Sequence, residues 1–336
     1  MSGVLKILTA GPGLSIQDQG RQGWLDQGLS KGGAADGLAL VEGAALLGGS
    51  QTMMAIEMAG MGGDFSVGCD IRIALTGAPM SAKLDGDVLR WNASHSMQAG
   101  ARLSIGAVTA GNYGYLTIGA GFDTPLQLNA RSAHFAAGIG RALNAGDTLV
   151  LGTDGGGLTG QMIDPPDRFS GGSVRIVESY QSALFSPSER ERFANTEFTR
   201  GARANRMGIQ LDGPAKGFHS DSGRSVVSDV TLPGDIQIAG DGTPFVLMTE
   251  CQTTGGYPRI GTVVPCDMPK LAQTPAGAAL RFEWVSLEQA VALQRADTAA
   301  RTGLGRKVQP MIRDPRGIAD LLSYQLISGV VAGDEE

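Results

Sequence analysis

Cysteine, clustered basic residues and long apolar stretches are all scarce in this sequence of 336 residues. The three cysteines, Cys69, Cys251 and Cys266, are odd in number and show no CxxC spacing, which argues against a disulfide framework or a zinc ribbon and favours a reducing compartment. The 27 basic residues are dispersed among 33 acidic ones, giving a net charge of −6, which argues against nucleic acid as a partner. No apolar run approaches about 18 residues, and the first residues lack a long apolar segment. We therefore expect a cytoplasmic protein with no membrane partner.

The sequence also lacks the short motifs that mark common nucleotide and metal sites. It contains no GxxxxGK[ST], no GxGxxG after a strand and no HExxH. Residues Gly28–Gly32 match GxSxG, but a nucleophile elbow needs an apolar strand directly before the serine, and Trp24–Gln27 is short and polar. The histidines, His95, His134 and His219, lie far apart in the chain. We therefore predict neither a serine hydrolase nor a metal site.

Glycine, in contrast, is abundant: its 51 copies are about twice the usual share of roughly 7%. The glycines follow no fixed period and separate short apolar runs, a pattern typical of a turn-rich β protein. A chain of this length usually exceeds one core. We predict a mainly β protein with a few helices, divided into an N-terminal β domain (1–152), a linker (153–173), a C-terminal β domain (174–300) and a helical tail (301–336).

Cap residues predict where the helices begin. Asp36 precedes an apolar pattern of helical spacing that runs to about Leu47, and Ser186 and Ser286 each open a capping-box pattern. The segment Ile318–Val331 has helical spacing and is either a terminal helix packed on the body or a subunit contact. Short apolar or alternating runs predict strands, among them Ala55–Ala59, Arg102–Val108 and Tyr113–Ile118.

The stretch Glu250–Gln273 is the most distinctive part of the chain. A predicted strand, Pro244–Met248, leads into three consecutive polar residues and then two glycines, which permit positive φ and close approach of backbone N–H groups to a ligand. Tyr257 precedes Pro258 and is therefore held extended. A turn of this kind between rigid strands can present donors to a ligand, although an ordinary tight hairpin would have a similar composition. The polar residues and glycines are Gln252, Thr253, Thr254, Gly255 and Gly256.

Candidate cations lie close to this turn or to a second glycine-containing turn. Arg206 follows Asn205 in the segment ANRMG, Arg259 follows the double glycine, and Lys270 lies further along. A guanidinium binds carboxylate or phosphate through two hydrogen bonds, whereas an ammonium acts as a point charge. A solvated charge or a structural ion pair is the alternative for each.

A second polar cluster lies in the long glycine-rich loop Gly11–Asp36. Gln17, Asp18 and Arg21 are grouped there between glycines. Loops of this length inside compact domains are often functional, so the cluster is either a binding element or a self-satisfied turn.

Four motifs together carry a resemblance to a known family. SIQDQGRQGW, GLSKGGAAD, ANRMGIQLDGP and CQTTGGYPRIGTV with the following DMPKLAQ resemble the biotin-dependent carboxyltransferase-like family, which includes allophanate hydrolase subunit 2, the C subunit of 5-oxoprolinase and the antagonist of a sporulation-kinase inhibitor. The resemblance covers about residues 4–300 in the right order. It implies two cyclophilin-like β-barrel domains.

The resemblance also implies an activity that needs a partner. As the C subunit of a 5-oxoprolinase-type complex, the chain would act with a subunit-B-like protein and ATP (with Mg) to activate the lactam of 5-oxoproline for ring opening to glutamate. No AMKM-like biotin-attachment sequence is present, which favours this version. The alternatives are a carboxyltransferase that acts on urea with a separate biotin carrier, and a non-catalytic protein that binds a kinase inhibitor.

The resemblance assigns roles to the residues selected above. Gln252, Thr253, Thr254, Gly255, Gly256 and Tyr257 would bind a small amide or urea substrate together with Gln17, Arg21, Asn205 and Gln273. Arg206 and Lys270 would stabilise developing negative charge, and Asp18 would accept a proton. Glu250 stands where the family pattern leads us to expect aspartate. Under these roles, Thr254→Ala or Arg206→Ala would reduce turnover far more than stability, because one well-placed donor lowers the barrier by about 3 kcal/mol.

Overall fold

The computed structural model describes residues 3–50, 53–221, 223 and 225–312. The predicted segment Ile318–Val331 lies outside the described residues. Within these ranges the chain is mainly β, as predicted, and none of its helices is long and apolar enough to cross a membrane.

The strands of the N-terminal half are numbered β1 to β12. They are β1 (Val4–Ala10), β2 (Ser15–Gln17), β3 (Ala55–Ala59), β4 (Gly63–Val67), β5 (Ile71–Gly77), β6 (Met80–Leu84), β7 (Asp87–Val88), β8 (Ala93–Met97), β9 (Arg102–Val108), β10 (Tyr113–Ile118), β11 (Thr148–Val150) and β12 (Gln161–Met162).

The strands of the C-terminal half follow, with one terminal strand after them. They are β13 (Gly172–Val177), β14 (Phe198–Ala204), β15 (Gly208–Asp212), β16 (Asp229–Val230), β17 (Asp235–Ile238), β18 (Pro244–Leu247), β19 (Thr254–Gly255), β20 (Arg259–Val263), β21 (Ala279–Trp284) and β22 (Gln309–Pro310).

The N-terminal half consists of two sheets with a shared core. One has six strands in the order β11-β1-β4-β9-β6-β7, and the other has seven in the order β2-β3-β10-β5-β8-β12-β22. Along β9 the buried residues alternate with more accessible ones, and Leu103 and Ile105 point into the core. There they meet Phe65 from β4 and Ile73 from β5, so apolar side chains of both sheets form one cluster. The alternation read from the sequence therefore sets the inward face of each strand.

The C-terminal half forms a closed barrel in the order β13-β20-β17-β18-β15-β14-β21. All neighbouring pairs are antiparallel except β13 with β21, which run parallel. Aromatic rings fill part of its interior: the Phe193 and Phe198 ring centroids are 4.9 Å apart, and those of Phe198 and Phe282 are 5.7 Å apart. Edge-on and tilted contacts at such distances are favourable for aromatic pairs. A closed barrel also leaves no unpaired sheet edge.

Four helices occur in the described residues, and capping explains three of their starting points. They are α1 (Gly37–Leu47), α2 (Pro187–Ala194), α3 (Met268–Gln273) and α4 (Leu287–Thr302). Asp36 accepts from the N–H groups of Leu38 and Ala39 at the start of α1, and Ser186 accepts from Glu189 at the start of α2. Ser286 and Gln289 form a complete capping box at α4. The predicted starts of these three helices are confirmed.

Buried polar contacts join both the segment predicted as a linker and the C-terminal half to the N-terminal half. Arg168, only 4% exposed, donates to Asp36 at 2.7 Å and to Glu42 at 2.7 and 2.9 Å. Gln273, at the end of α3, donates to the same Asp36 at 2.9 Å. Residues 153–173 therefore include a packed cation rather than forming a free tether. The domain boundaries themselves stay a prediction.

Candidate functional site

The loop between β18 and β20 carries the polar turn singled out in the sequence. Thr254 and Gly255 form the short strand β19, which pairs with β16. Neither Gly255 nor Gly256 has a positive φ, so that part of the prediction is wrong. The reason for glycine at 255 is proximity, because a Cβ there would lie 2.4 Å from Gln237 Nε2 and 3.1 Å from Thr231 Cγ2. The chain thus uses the absence of a side chain rather than unusual backbone angles.

An open cleft of about 810 Å³ lies on the barrel beside this loop. Three of the predicted substrate-binding residues line it: Asn205, Gln252 and Tyr257. Its wall also contains Arg203 and Gln237, which the sequence did not single out. The cleft therefore brings together residues from β14, β17 and the polar loop, which are distant in sequence.

Hydrogen bonding leaves particular atoms of the cleft available to a ligand. Asn205 Oδ1 accepts from the N–H groups of Met207 at 2.7 Å and Gly208 at 3.2 Å, so the Asn205 side chain has its amide nitrogen left to donate. Gln252 Nε2 donates to Gln237 Oε1 at 3.1 Å, which leaves Gln252 Oε1 as an acceptor. Tyr257 is 47% exposed and can donate through its hydroxyl. The cleft thus offers donors and an acceptor, the groups that the C=O and N–H of an amide bind.

Arg206 lies between two residues that line this cleft, Asn205 and Met207, but its own side chain is enclosed by other protein groups. Its Nε donates to Glu250 Oε1 at 2.6 Å, while Nη1 and Nη2 donate to Glu57 Oε1 and to the carbonyl of Gly33. Although burial alone would lower it, the carboxylates of Glu57 and Glu250 raise the pKa of Arg206 above its ordinary value. The side chain therefore connects the polar loop of the C-terminal half to β3 of the N-terminal half. All three of its nitrogens are thus engaged, so its predicted role towards substrate charge has no support from this geometry.

Ser30 and His134 form a hydrogen-bonded pair beside Glu250. Ser30 Oγ lies 2.9 Å from His134 Nε2, and His134 Nδ1 is 3.8 Å from Glu250 Oε2. The Ala137 N–H donates to Nδ1 at 3.2 Å, so Nδ1 is unprotonated and Nε2 carries the hydrogen that is donated to Ser30. A histidine in this tautomer cannot take a proton from the serine. Ser30, His134 and Glu250 are thus the residue types of a hydrolase triad. In a triad the serine donates to the histidine, whereas here the histidine donates to the serine.

Burial controls the charge of His134. Removal from water lowers the pKa of His134; Glu250 opposes this, and Arg21 and Arg206 add to the lowering. The side chain is therefore neutral at pH 7, in agreement with its accepting Nδ1.

Arg21 is the largest fully buried side chain of the described residues, at 1% exposed. Its Nη2 donates to the carbonyl of Ser132 at 2.6 Å, whereas Nε and Nη1 have no partner within the part of the chain that the structure describes. Burial lowers the pKa of Arg21, and Asp18 and Glu250 oppose that lowering. Unlike Arg206, Arg21 keeps donors that are not engaged. Its predicted substrate role stays a prediction.

The remaining predicted residues are not gathered into the cleft. Gln17 is fully buried on β2 and donates to Ser15 Oγ at 3.0 Å. Both carboxylate oxygens of Asp18 accept from backbone N–H groups, at 2.8 and 2.6 Å, which is the pattern of a turn stabiliser rather than a proton acceptor. Lys270 Nζ donates to the carbonyl of Ser173 at 2.8 Å. Their predicted roles therefore find no supporting geometry.

Gln273 and Arg259 are also held by protein contacts, and Thr253 lies beside the loop at Gly28. Gln273 is fully buried and bonded to the N-terminal half through Asp36 and the backbone of Tyr113. Thr253 is half-buried and faces the loop at Gly28, where a Cβ would lie 3.9 Å from its hydroxyl. Arg259 is 3% exposed and donates to Asp235 at 3.0 Å, so the structural ion pair is the correct alternative for this cation.

Four residues near the site were missed because their signal is not local in the sequence. Glu57 lies on a buried strand, His134 in a loop, Gln237 on β17 and Arg203 at the end of β14. A charged residue within an apolar strand, as Glu57 is in AIEMA, is the one local signal available, since a buried charge requires a partner.

Comparison with known proteins assigns this chain to a family. The chain matches the family described as carboxyltransferase domain, subdomain A and B, over residues 27–284, more than half of its length. It therefore belongs to the carboxyltransferase domain family.

Individual relatives resemble the chain over nearly their whole length. It is 32% identical to the C subunit of 5-oxoprolinase from Escherichia coli over 293 residues, covering 86% of this chain and 93% of that protein. It is also 32% identical to the C subunit of 5-oxoprolinase from Haemophilus influenzae over 297 residues, covering 87% and 94%. The resemblance read from the sequence is confirmed.

Solved structures share the fold but are longer than this chain. A crystal structure of TTHA0988 superposes with a TM-score of 0.78 and 25% identity, covering 84% of this chain and 56% of that one. The urea amidolyase of K. lactis superposes with a TM-score of 0.80 and 22% identity, covering 93% of this chain and 21% of that one.

Proposed function

We propose that this chain is the C subunit of an ATP-dependent 5-oxoprolinase-type complex, which activates the lactam of 5-oxoproline for ring opening to glutamate. The observation that carries the proposal is the similarity to two bacterial proteins, each named as the C subunit of 5-oxoprolinase, over 93% and 94% of their lengths. The chain acts together with a subunit-B-like partner and functions as a hydrolase only in that complex.

The cleft has the chemistry that binding of a lactam requires. The ring presents one N–H donor and one carbonyl acceptor in a plane. Gln252 Oε1 accepts from the ring N–H, and the Asn205 amide nitrogen and the Tyr257 hydroxyl donate to the carbonyl oxygen. Donors held near an amide oxygen favour the charge that develops there when the carbonyl is attacked.

The carboxylate of 5-oxoproline needs a cation, and Arg203 in the cleft wall supplies one. The side chain is exposed, so it can reorient towards a bound anion. Guanidinium and carboxylate form paired hydrogen bonds of good geometry.

We place Mg–ATP in the complex as a whole, since the described residues of this chain identify no site for it. The sequence has no P-loop, and the described ranges contain no cluster of three or more His, Cys, Asp or Glu side chains that could hold a metal ion. We therefore assign no step through the nucleotide to this chain.

A carboxyltransferase acting on urea with a separate biotin carrier is the second candidate. It is favoured by the family match and by the shared fold of the K. lactis urea amidolyase. Urea also presents N–H donors and a carbonyl oxygen, so the same cleft atoms would contact it.

One experiment separates the two candidates. The chain is co-purified with its subunit-B-like partner, and ATP hydrolysis is measured with 5-oxoproline, with urea and without substrate. We expect hydrolysis that depends on 5-oxoproline once the third, ring-opening component is supplied. A complex that does not respond to 5-oxoproline, but transfers carboxylate from a carboxylated biotin carrier to urea, would replace the first proposal with the second.

A further inference from the structure

The Gln237 side chain is buried, and part of its hydrogen-bonding capacity is unused. It is 4% exposed, and its Oε1 accepts from Gln252 Nε2 at 3.1 Å. Its own Nε2 has no partner in the described ranges and lies under Gly255, in the space that a side chain there would fill. A buried amide that leaves one donor unpaired is costly, so the arrangement needs an explanation other than stability.

Gln237 fixes which end of the Gln252 amide reaches the cleft. Gln252 is exposed and lines the cleft, and a free glutamine amide could present either oxygen or nitrogen to a ligand. In the structure Gln237 Oε1 accepts from Gln252 Nε2, and this contact turns Gln252 Oε1 outward. Gly255 makes room for the Gln237 amide beneath the loop.

We propose that Gln237 is a positioning residue for specificity, which orients Gln252 so that the cleft accepts ring N–H groups and rejects rings without one. This inference rests on the proposed function and extends it, since it makes the lactam nitrogen, in addition to the carbonyl, a recognised part of the substrate. A lactone in which oxygen replaces the ring N–H would place a lone pair against Gln252 Oε1.

The test compares equilibrium binding of 5-oxoproline and of its lactone analogue to the purified complex. Leaving an acceptor unpaired weakens binding by about tenfold to a hundredfold, and we expect the native complex to prefer the lactam by this factor. In Gln237→Met the Gln252 amide rotates freely, so lactam affinity falls, lactone affinity rises and the preference is lost. Gln237→Glu still accepts from Gln252 Nε2 and keeps the preference.

A second variant protects the test against misfolding. Gln252→Met alters an exposed position and removes the amide itself, so the preference is again lost. The inference is overturned if Gln237→Met or Gln252→Met retains the native preference, if Gln237→Glu abolishes it, or if the native complex binds both rings equally or neither. Lactam-selective binding that depends on Gln237, without ATP hydrolysis driven by 5-oxoproline, would refute the proposed function and leave this inference standing.

Discussion

A guanidinium enclosed by two carboxylates, as Arg206 is between Glu57 and Glu250, is held there by charge as much as by shape. Removing it leaves two carboxylates 2% exposed with no cation between them. The cost of breaking a buried pair from one side is far larger than the net contribution of the pair. This alters the expectation formed from the sequence, because Arg206→Ala then reports on stability before it reports on turnover.

We accordingly predict that Arg206→Ala lowers the free energy of unfolding by about 3–5 kcal/mol. Urea denaturation followed by circular dichroism measures it. The matched control is Arg281→Ala, which breaks an ion pair to Glu197 whose side chains are 66% and 54% exposed and should cost about 0–1 kcal/mol. Equal small losses in both variants would show that the buried contacts of Arg206 do not hold the fold together.

His134 gives the stability a defined dependence on pH. Its pKa is lowered in the folded state, chiefly by burial, so the unfolded chain binds a proton that the folded chain does not. Stability is therefore complete above the unfolded pKa of about 6.5 and falls as the pH drops below it, with a slope of at most about 1.4 kcal/mol per pH unit. His134→Gln should flatten the decline between about pH 6.5 and the lowered pKa.

Denaturation midpoints at several pH values check this expectation. His219→Gln, at an exposed position, is the control and should leave the native profile in place. An unchanged profile in His134→Gln would mean that folding does not shift the pKa of His134.

At the level of single residues, the sequence identifies which residues matter more reliably than it identifies what each of them does. Arg206, Gln252 and Tyr257 were selected from their motifs, and two of them line the cleft. The partners of Arg206 lie 149 and 44 positions away, so no local pattern could distinguish a substrate-binding cation from a structural one. Asp18 shows the same limit, because one of its carboxylate oxygens accepts from Gly20 in the same turn and the other accepts from Arg131, 113 positions away.

The polar loop between β18 and β20 acts as one element whose shape depends on Gly255. A methyl group there would meet Gln237 Nε2 at 2.4 Å, and this atom is the end of a flexible side chain that can move aside. We predict that Gly255→Ala changes the free energy of unfolding by less than about 1 kcal/mol, while displacing Gln237 and weakening 5-oxoproline binding severalfold.

Isothermal titration of the complex and thermal melting measure the two effects. Gly155→Ala is the matched control, since a Cβ at Gly155 has nothing within 4 Å and should affect neither quantity. Native affinity in Gly255→Ala would show that the contact between the loop and Gln237 does not shape the cleft.

Helices and strands were the features that the sequence predicted best. The starts of α1, α2 and α4 follow from cap side chains that bond their own first turn, which is local chemistry. β9 and β10 have the predicted bounds: β9 alternates buried with more accessible residues, whereas all six residues of β10 are buried. The polar loop was less predictable, since two glycines are compatible with positive φ and with close packing, and only the neighbouring strand decides between them.

At the scale of the whole molecule, Gln273 connects the two halves through hydrogen bonds of its side chain. Its Oε1 accepts from the N–H groups of Asn112 and Tyr113 at 3.0 Å, and its Nε2 donates to Asp36 at 2.9 Å. We predict that Gln273→Leu, by leaving these groups unpaired in the interior, lowers the free energy of unfolding by about 2–5 kcal/mol. Both halves should lose stability together, in a single transition.

Calorimetry tests this, with Gln98→Leu as the control because Gln98 is exposed and bonds Ser96 on the same strand end. Two separate transitions in Gln273→Leu, with one at the native temperature, would show that the halves unfold independently.

The arrangement of the whole molecule was the least accessible to sequence reasoning. Glycine-rich turns and short strands indicated the mainly β class, and the motifs indicated the family. The interface depends on pairs such as Arg206 with Glu57, which lie 149 positions apart, and the sequence shows only their order along the chain. For the same reason Gln273, chosen for its place in a motif, lies at the interface.

The sharing of Arg206 between Glu57 and Glu250 has a consequence for protein engineering. A hybrid that took residues up to the linker from one relative and the barrel from another would preserve both backbones. The hybrid would still be unstable wherever Glu57 on β3 and Arg206 in the barrel were replaced by residues from two relatives that do not form an ion pair with each other. Exchange of halves between relatives therefore requires that Glu57, Arg206 and Glu250 all come from the same protein.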